Sequence, residues 1–561
     1  MREDFMAAII REGQVSQNAA FWSGTRPLLD KIVSLETHGP FTATLTNRAS
    51  GKHKSHLFSL NGAASSSLVA GDKVSVLTLQ GVCCGDGYVL GQGAQKSLRF
   101  PGIPPDKFYL HVLPREFLTK DLSLIPDWPP KNPFPGAAQY AQRSEIPELY
   151  FGGTYALDDV SISAFLGAIA GNPIFGIKGP PGTGKTTLLA RVASYLAGEL
   201  GQKVLITAKS HKAVDNALFA TAHYSTKGRS FGIYRKTSRK DDFYSSESPL
   251  LGVQLYPSKE NVDEPNGYIV AAVMDSRLEG MSFDTIIVDE AGQVPMFAVA
   301  TLAGLGDKFV FFGDNAQLPP ILSAIHHGEP PMSPMQFILR RDKTGTHCVA
   351  LPLTHRLNSE ICGLVGDYSY PGLGLYASPT NKDSRLLFMG DIDVSDEPSA
   401  RLIPISCPFS NTECEEEVEV VSCLVDALLG SRALIDGVTR EIRPKDIAVL
   451  TPYRAQAKLL SAHLLDKHIT KIGTVDIMQG QSVGIVIMCM TTTKVAKISE
   501  RAEWLFQPNR INVAVSRAKA ACYLLANPDS IKAAAAATNL GMEYLEQFRI
   551  LMRKFHAGNS L

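Results

Sequence analysis

The sequence predicts an α/β protein in several domains, a small antiparallel barrel-like module followed by parallel sheets. Three observations carry this. A chain of 561 residues exceeds what one hydrophobic core closes and suggests about three or four domains. Residues 1 to 150 hold short alternating segments punctuated by Gly and Ser, as in a small antiparallel sheet or barrel. From Tyr155 onward, apolar strands alternate with helices, the mark of a parallel sheet.

Composition narrows the class. The chain is 45% hydrophobic and 20% charged, an ordinary globular balance that excludes a mostly disordered chain, a collagen or a coiled coil. No apolar run approaches the ~18–20 residues of a membrane span. Met1–Ile10 carries Arg2, Glu3 and Asp4 before its apolar residues and does not read as a signal peptide. Nine cysteines lack C-x-x-C spacing, Cys83 and Cys84 being simply adjacent. They fit a reducing compartment, the cytoplasm or a nucleus. Fifty-five Lys and Arg balance 55 Asp and Glu, so no global basic field exists. Charge is nevertheless segregated. Lys203, Lys209, Lys212, Lys227, Arg229, Arg235, Lys236, Arg239 and Lys240 fall between Gly201 and Lys240 with one acid, Asp215, whereas Glu413, Glu415, Glu416, Glu417 and Glu419 form an acidic run. Something anionic can meet the basic part, and a solvated face is the plain alternative.

The elements follow in order. An opening helical stretch gives way near Phe41 to strands at Thr42–Leu45, His56–Leu60, Lys73–Leu77 and Tyr88–Leu90. The Pro-rich turns Pro101–Pro105 and Pro126–Pro135 read as boundary linker. Buried parallel strands are expected at Ile174–Ile177, Val204–Thr207, Thr285–Val288, Phe309–Phe312, Ile447–Leu450, Val483–Met490 and Cys522–Leu525. Ala533–Ala537 favours a helix and carries no chemistry.

One strand ends in Gly179-Pro180-Pro181-Gly182-Thr183-Gly184-Lys185-Thr186 and leads to a helix near Thr187, matching G-x-x-x-x-G-K-[ST]. Glycines let backbone N–H groups close on phosphates, Lys185 reaches β/γ oxygens, and the Thr186 hydroxyl ligates Mg²⁺. The helix N-terminus adds partial positive charge. This is a nucleotide triphosphate site. A second strand delivers Asp289 and Glu290 at its carboxyl end, Asp289 for the metal and Glu290 to orient or deprotonate water. Gly313-Asp314-Asn315-Ala316-Gln317 follows a third strand and sets Gln317 near the γ-phosphate. Arg356 and Arg517 lie far along the chain; each is either a surface ion pair or a charge supplied to phosphoryl transfer across an interface.

GPPGTGKT, Ala208–Asp215, DEAGQ, GDNAQLPP, Thr354-His355-Arg356, Thr451–Gln456, Thr474–Gln481 and Asn512–Lys519 occur in that order. Together they span roughly 155 to 530 and resemble superfamily 1 helicases of the up-frameshift-like, senataxin-related group. The resemblance implies two RecA-like P-loop domains clamping ATP, plus an N-terminal β-barrel-like domain that contacts nucleic acid. The expected division is 1–150, 151–342 with a small insertion at 219–267, and 343–561. It implies Lys185, Asp289, Glu290, Gln317, Arg356 and Arg517 as catalytic residues, with Thr186 and Asp289 on the metal. Gly179 to Thr187 and Gly480 would hold the nucleotide. Lys209, Ser210, Lys212, Thr451, Pro452 and Thr474 would lie near the nucleic-acid backbone.

The sequence departs from the family at base-proximal positions. Leu157–Ser161 lacks the usual glutamine, His355 replaces a tyrosine, and Ser482 replaces a glutamate, so relaxed choice among triphosphates is expected. For the strand itself, the loop Arg48–His56 supplies cations, and Tyr224, Phe231 and Tyr234 are either stacking platforms or core. No base-reading code, nuclease or zinc domain is visible. The expected function is an ATP- and Mg²⁺-dependent helicase or translocase on single-stranded or tailed duplex DNA or RNA. The resemblance implies 5′-to-3′ movement. The alternative is an ATP-gated single-strand clamp or signalling ATPase.

Overall fold

The computed structural model describes residues 37–112 with breaks, 146–152, and most of 156–537 and 542–557; the longest breaks in that last part are 238–252, 258–266 and 321–332. The opening stretch 1–36, the basic loop 48–55 and Pro126–Pro135 lie outside the described residues.

Six antiparallel strands close a barrel: β1 (Thr37–Asn47), β2 (His56–Asn61), β3 (Lys73–Thr78), β4 (Cys83–Leu90), β5 (Ser97–Phe100) and β6 (Phe108–Val112), ordered β1-β2-β5-β4-β3-β6. Phe58, Val74, Val76, Val89, Leu98, Phe100, Phe108 and Leu110 fill it. Every second residue of these strands points inward, so short alternating segments suffice for a core. The Pro101–Pro105 turn corrects the expected linker: it joins β5 to β6, which are not neighbours, inside the barrel.

The second unit is an eight-stranded sheet. Its strands are β7 (Ile174–Lys178), β8 (Lys203–Ala208), β9 (Gly232–Thr237), β10 (Val253–Pro257), β11 (Tyr268–Val273), β12 (Phe283–Val288), β13 (Gly306–Gly313) and β14 (Cys348–Ala350), ordered β10-β9-β11-β8-β12-β13-β7-β14 and parallel throughout. Helices α1 (Asp159–Ile169), α2 (Lys185–Gly198) and α3 (His211–Ser225) accompany it. Both faces are covered. Val310 and Phe312 pack on one side with Leu188, Val192 and Phe165, while Phe309 and Phe311 pack on the other with Met335 and Phe337. Continuous apolar runs, rather than alternation, follow from that double burial.

The third unit is a six-stranded sheet of β15 (Ala400–Pro404), β16 (Ile447–Leu450), β17 (Lys471–Gly473), β18 (Val483–Cys489), β19 (Ala518–Ala526) and β20 (His556–Ala557), ordered β17-β16-β18-β19-β15-β20. All its pairs are parallel. Helices α4 (Ser359–Ser369), α5 (Glu415–Leu428), α6 (Arg454–His463) and α7 (Pro508–Val515) flank it. An antiparallel sheet over 385–441 adjoins it.

Both sheets are RecA-like in arrangement, and their topology explains where the motifs gather. Crevices of parallel sheets lie beyond the strands' carboxyl ends. In the first sheet β8, β12, β13 and β7 are consecutive neighbours. The loops carrying Lys209, Asp289, Asp314 and the P-loop follow those four strands in turn. In the second sheet β17, β16 and β18 are neighbours and precede Thr474, Thr451 and Thr491.

Candidate active site and nucleic-acid interface

The P-loop runs from β7 into α2, which begins at Lys185, slightly before the expected start. Gly182 and Gly184 both sit at φ 78°, which a side chain resists. Lys185 Nζ folds back onto the loop, donating to the carbonyls of Gly179 (2.5 Å) and Pro180 (3.3 Å). The ammonium thus occupies carbonyl partners that a phosphate would replace. Thr183 donates to Pro180 O at 2.9 Å. Gly179 N donates to Gly313 O, and Ala291 N to Phe312 O, tying adjacent loops together.

Asp289 is buried, and its Oδ1 accepts from Glu290 N at 2.9 Å. Burial, with Glu290 beside it, pushes the Asp289 carboxyl up to about 7, against Lys185 and that N–H. A buried carboxylate this costly to ionise suits a divalent cation, which supplies the missing positive charge. Thr186, in the first turn of α2, and Asp289 are the groups that can hold Mg²⁺. Glu290 sits at φ 52° and accepts from Gln293 Nε2 at 3.3 Å. Gly292 permits this turn: a Cβ there would lie 2.2 Å from Asp314 O.

Residues from the second sheet's side close over these loops. Thr354 Oγ1 donates to Pro181 O (2.9 Å) and His355 N to Gly182 O (2.8 Å), bringing Arg356 beside the P-loop. Gln317 Nε2 donates to Asp314 Oδ2 (2.7 Å), and Arg517 donates to Gln317 Oε1 at 3.1 Å. Tyr370 Oη also donates to Asp314, and Asn512 donates to Tyr370 Oη (2.8 Å) and Ala316 O (2.7 Å). Asn509 donates to Asn315 O (3.1 Å) and Gln317 O. Burial and the neighbouring Arg517 pull the Arg356 guanidinium down to about 9, while Glu290 opposes them; burial likewise lowers Arg517. Two enclosed like charges facing a P-loop are relieved by a polyanion.

Asp314 and Asn512 lay inside quoted motifs without being singled out; nothing in the sequence pointed to Tyr370. At the base-proximal end, Asp158 caps α1 through Ser161 N (2.7 Å), and burial lowers His355 against the pull of Asp158. Gly480 lies outside the described residues.

The six expected strand contacts divide between two cavities. Lys209, Ser210 and Lys212 line a cleft of about 580 Å³ that also meets Glu290, Gln507 and Arg510. Thr451, Pro452 and Thr474 line an adjoining pocket of about 340 Å³, which shares Arg510 with the cleft. The basic stretch is corrected in part. Arg235 and Lys236 are buried, Arg235 pairing with Asp215 at 2.7 Å and Lys236 packing on Met281. Strand β9 is covered on both faces, so its cations turn into the protein. Phe231 and Tyr234 are core residues, not platforms. Lys227, Arg229, Arg239 and Lys240 lie outside the described residues.

Family models described as AAA domain match residues 156–240 and 336–529. The DNA replication ATP-dependent helicase/nuclease dna2 of Schizosaccharomyces pombe is 27% identical over 390 residues, 65% of this chain and 27% of its own length. The corresponding Mus musculus protein is 28% identical over 64% of this chain and 36% of its own. The chain thus spans about a third of these relatives' length or less. Among solved structures, the Arterivirus nonstructural protein 10 helicase is 14% identical with a TM-score of 0.36, covering 89% of this chain and 80% of its own.

Proposed function

Because the chain belongs to the up-frameshift-like group of superfamily 1 helicases, we propose that it is an ATP-hydrolysing motor that moves 5′-to-3′ on single-stranded nucleic acid. Its polymer is DNA, in keeping with relatives named for DNA replication. The division is 1–150 for the barrel part, then a first ATPase domain from 151, and a second to 561. The expected boundary at 342 moves past β14 (Cys348–Ala350), which pairs with β7, and within 219–267 the strands β9 and β10 belong to the first sheet. The motor works in the cytoplasm or nucleus. No helix among the described residues is long and apolar enough to cross a membrane.

The observation that carries this reading is the bond between Gln317 and Arg517, 200 residues apart, which joins the nucleotide loops to the second sheet. On ATP binding, Lys185 leaves the loop carbonyls for the β/γ oxygens, and the P-loop N–H groups hold the phosphates. Mg²⁺ at Thr186 and Asp289 would draw charge from the phosphate oxygens as the γ-phosphoryl departs. Glu290 orients the attacking water and takes its proton. Arg356 and Arg517 neutralise charge that develops in the transition state, and Gln317 reports the γ-phosphate to Arg517. Loss of that phosphate frees the seam to open, and alternate closure ratchets the strand.

The test is ATP turnover with single-stranded DNA and RNA in parallel, followed by unwinding of duplexes bearing a 5′ or a 3′ tail. Stimulated turnover and unwinding from the 5′ tail are expected. Unwinding only from the 3′ tail would overturn the polarity. Stimulation without unwinding from either tail assigns a translocase or ATP-gated clamp, and turnover indifferent to both polymers defeats the motor reading.

A further inference from the structure

The smaller cavity has a composition unlike the cleft it joins. Its walls include Leu450, Tyr453, Met488, Trp504 and Ile511, and its charged lining is Arg454 and Arg510 without an acid. At about 340 Å³ it falls at the lower end of the roughly 300–1,000 Å³ of small-molecule pockets. The rings of Tyr453 and Trp504 stand 5.3 Å apart at 45°. Tyr453 is held in place: its hydroxyl bonds Thr492 Oγ1 at 2.7 Å and accepts from Arg501 at 3.2 Å. Trp504 is 36% exposed, with the Arg510 guanidinium 4.8 Å over its ring. A rigid tyrosine facing a half-open tryptophan, at the edge of a cationic cleft, is a place for a flat apolar group tethered to an anion.

We propose that this pocket receives one nucleobase of the bound strand, with Arg510 taking the adjoining phosphate at the junction of cleft and pocket. The proposal rests on the motor reading above and adds a grip of a different kind. Lys209, Lys212 and Arg510 in the cleft hold charge and weaken with salt. The Tyr453–Trp504 pocket holds a π-face, which every base has, so it needs no sequence. The base enters from the cleft because Arg510 and the Gln507 side chain that accepts from it (3.1 Å) lie along the cleft wall. The second sheet thereby keeps hold of the strand by stacking while the phosphates change partners.

The experiment compares equilibrium binding of the full chain to oligo-dT and to an equally long strand carrying abasic sites, for wild type, Trp504→Ala and Trp504→Phe. Wild type should bind the abasic strand about ten- to hundredfold more weakly, the range of one lost stacking contact. Trp504→Ala should lose a similar factor on oligo-dT and discriminate correspondingly less between the strands, with an unchanged salt slope; Trp504→Phe should restore most of the affinity. Wild-type binding indifferent to the missing bases, or Trp504→Ala binding oligo-dT as tightly as wild type, overturns the pocket while leaving the motor intact. No strand binding by wild type overturns the motor reading and the pocket with it.

Discussion

Glu290 sits at φ 52°, a conformation that costs a non-glycine residue roughly 1–2 kcal/mol. The surrounding loops hold it there, with its N–H spent on Asp289 and its carboxylate near the cleft. Replacing Glu290 with Gln should keep ATP binding and lose turnover, whereas Lys185→Ala should abolish turnover through lost phosphate contact; single-turnover hydrolysis beside nucleotide binding separates the two. Wild-type hydrolysis by Glu290→Gln would remove this residue from the water. Arg356→Ala and Arg517→Ala should each lower turnover by orders of magnitude with less change in nucleotide affinity, because they act on transition-state charge. Near-normal rates in both would make them structural. With Ser161 and His355 where glutamine and tyrosine are usual, kcat/KM for ATP and GTP should lie within about a hundredfold (about 2.7 kcal/mol). A stronger ATP preference contradicts this.

The N-terminal turn of α5 carries the acidic run, and one member of it is turned inward. Glu417 is buried and accepts from Thr491 N (3.0 Å), Thr491 Oγ1 (2.9 Å) and Gln456 Nε2 (3.0 Å), holding Thr491 in the left-handed region at φ 62°. Burial pushes its carboxyl up to about 7 in spite of those donors. The folded chain therefore binds this proton more tightly than the unfolded chain does between the usual carboxyl range and about pH 7. Its contribution to stability falls as pH rises through that window and is level above it, a change on the order of 3 kcal/mol. Melting curves from pH 5 to 8 should show Glu417→Gln with a flatter decline than wild type; identical slopes would place the titration elsewhere. Such inward turns mark where sequence reading stops. The loops at strand tips were legible because phosphate chemistry demands particular residues in an unbroken run, as in Gly179–Thr186. Arg235 and Lys236 were not, because counting charge ignores which way a strand's side chains face, and Asp215 answers Arg235 only once α3 and β9 have packed. β5 and β6 were missed because four or five residues around a proline turn carry too little alternation to be seen. Tyr370 and Trp504 belong to no recurring run of residues and acquire meaning only from what folds against them.

Across the whole molecule the balanced charge conceals a cationic groove. Lys209, Lys212 and Arg510 line the cleft against one acid, Glu290, and Arg454 extends the series into the pocket. Strand affinity should fall steeply with salt, and neutralising Lys209 and Lys212 together should reduce the log–log slope by about two. An unchanged slope would move the phosphate track elsewhere. The same region constrains how a motor of the proposed kind would move. Lys209 and Ser210 follow β8 while Asp289 follows β12, and these strands are neighbours, with Asp289 N donating to Thr207 O at 2.8 Å. In the proposed roles, the loop that would grip the strand and the loop that would serve the metal are planks of one raft, so one cannot slide past the other without breaking the ladder between β8 and β12. Travel would be taken up where the two rafts touch, around Gln317 and Arg517 and where Thr354 and His355 meet the P-loop. The length of a stroke, for the proposed motor, would then be written in how far that joint swings.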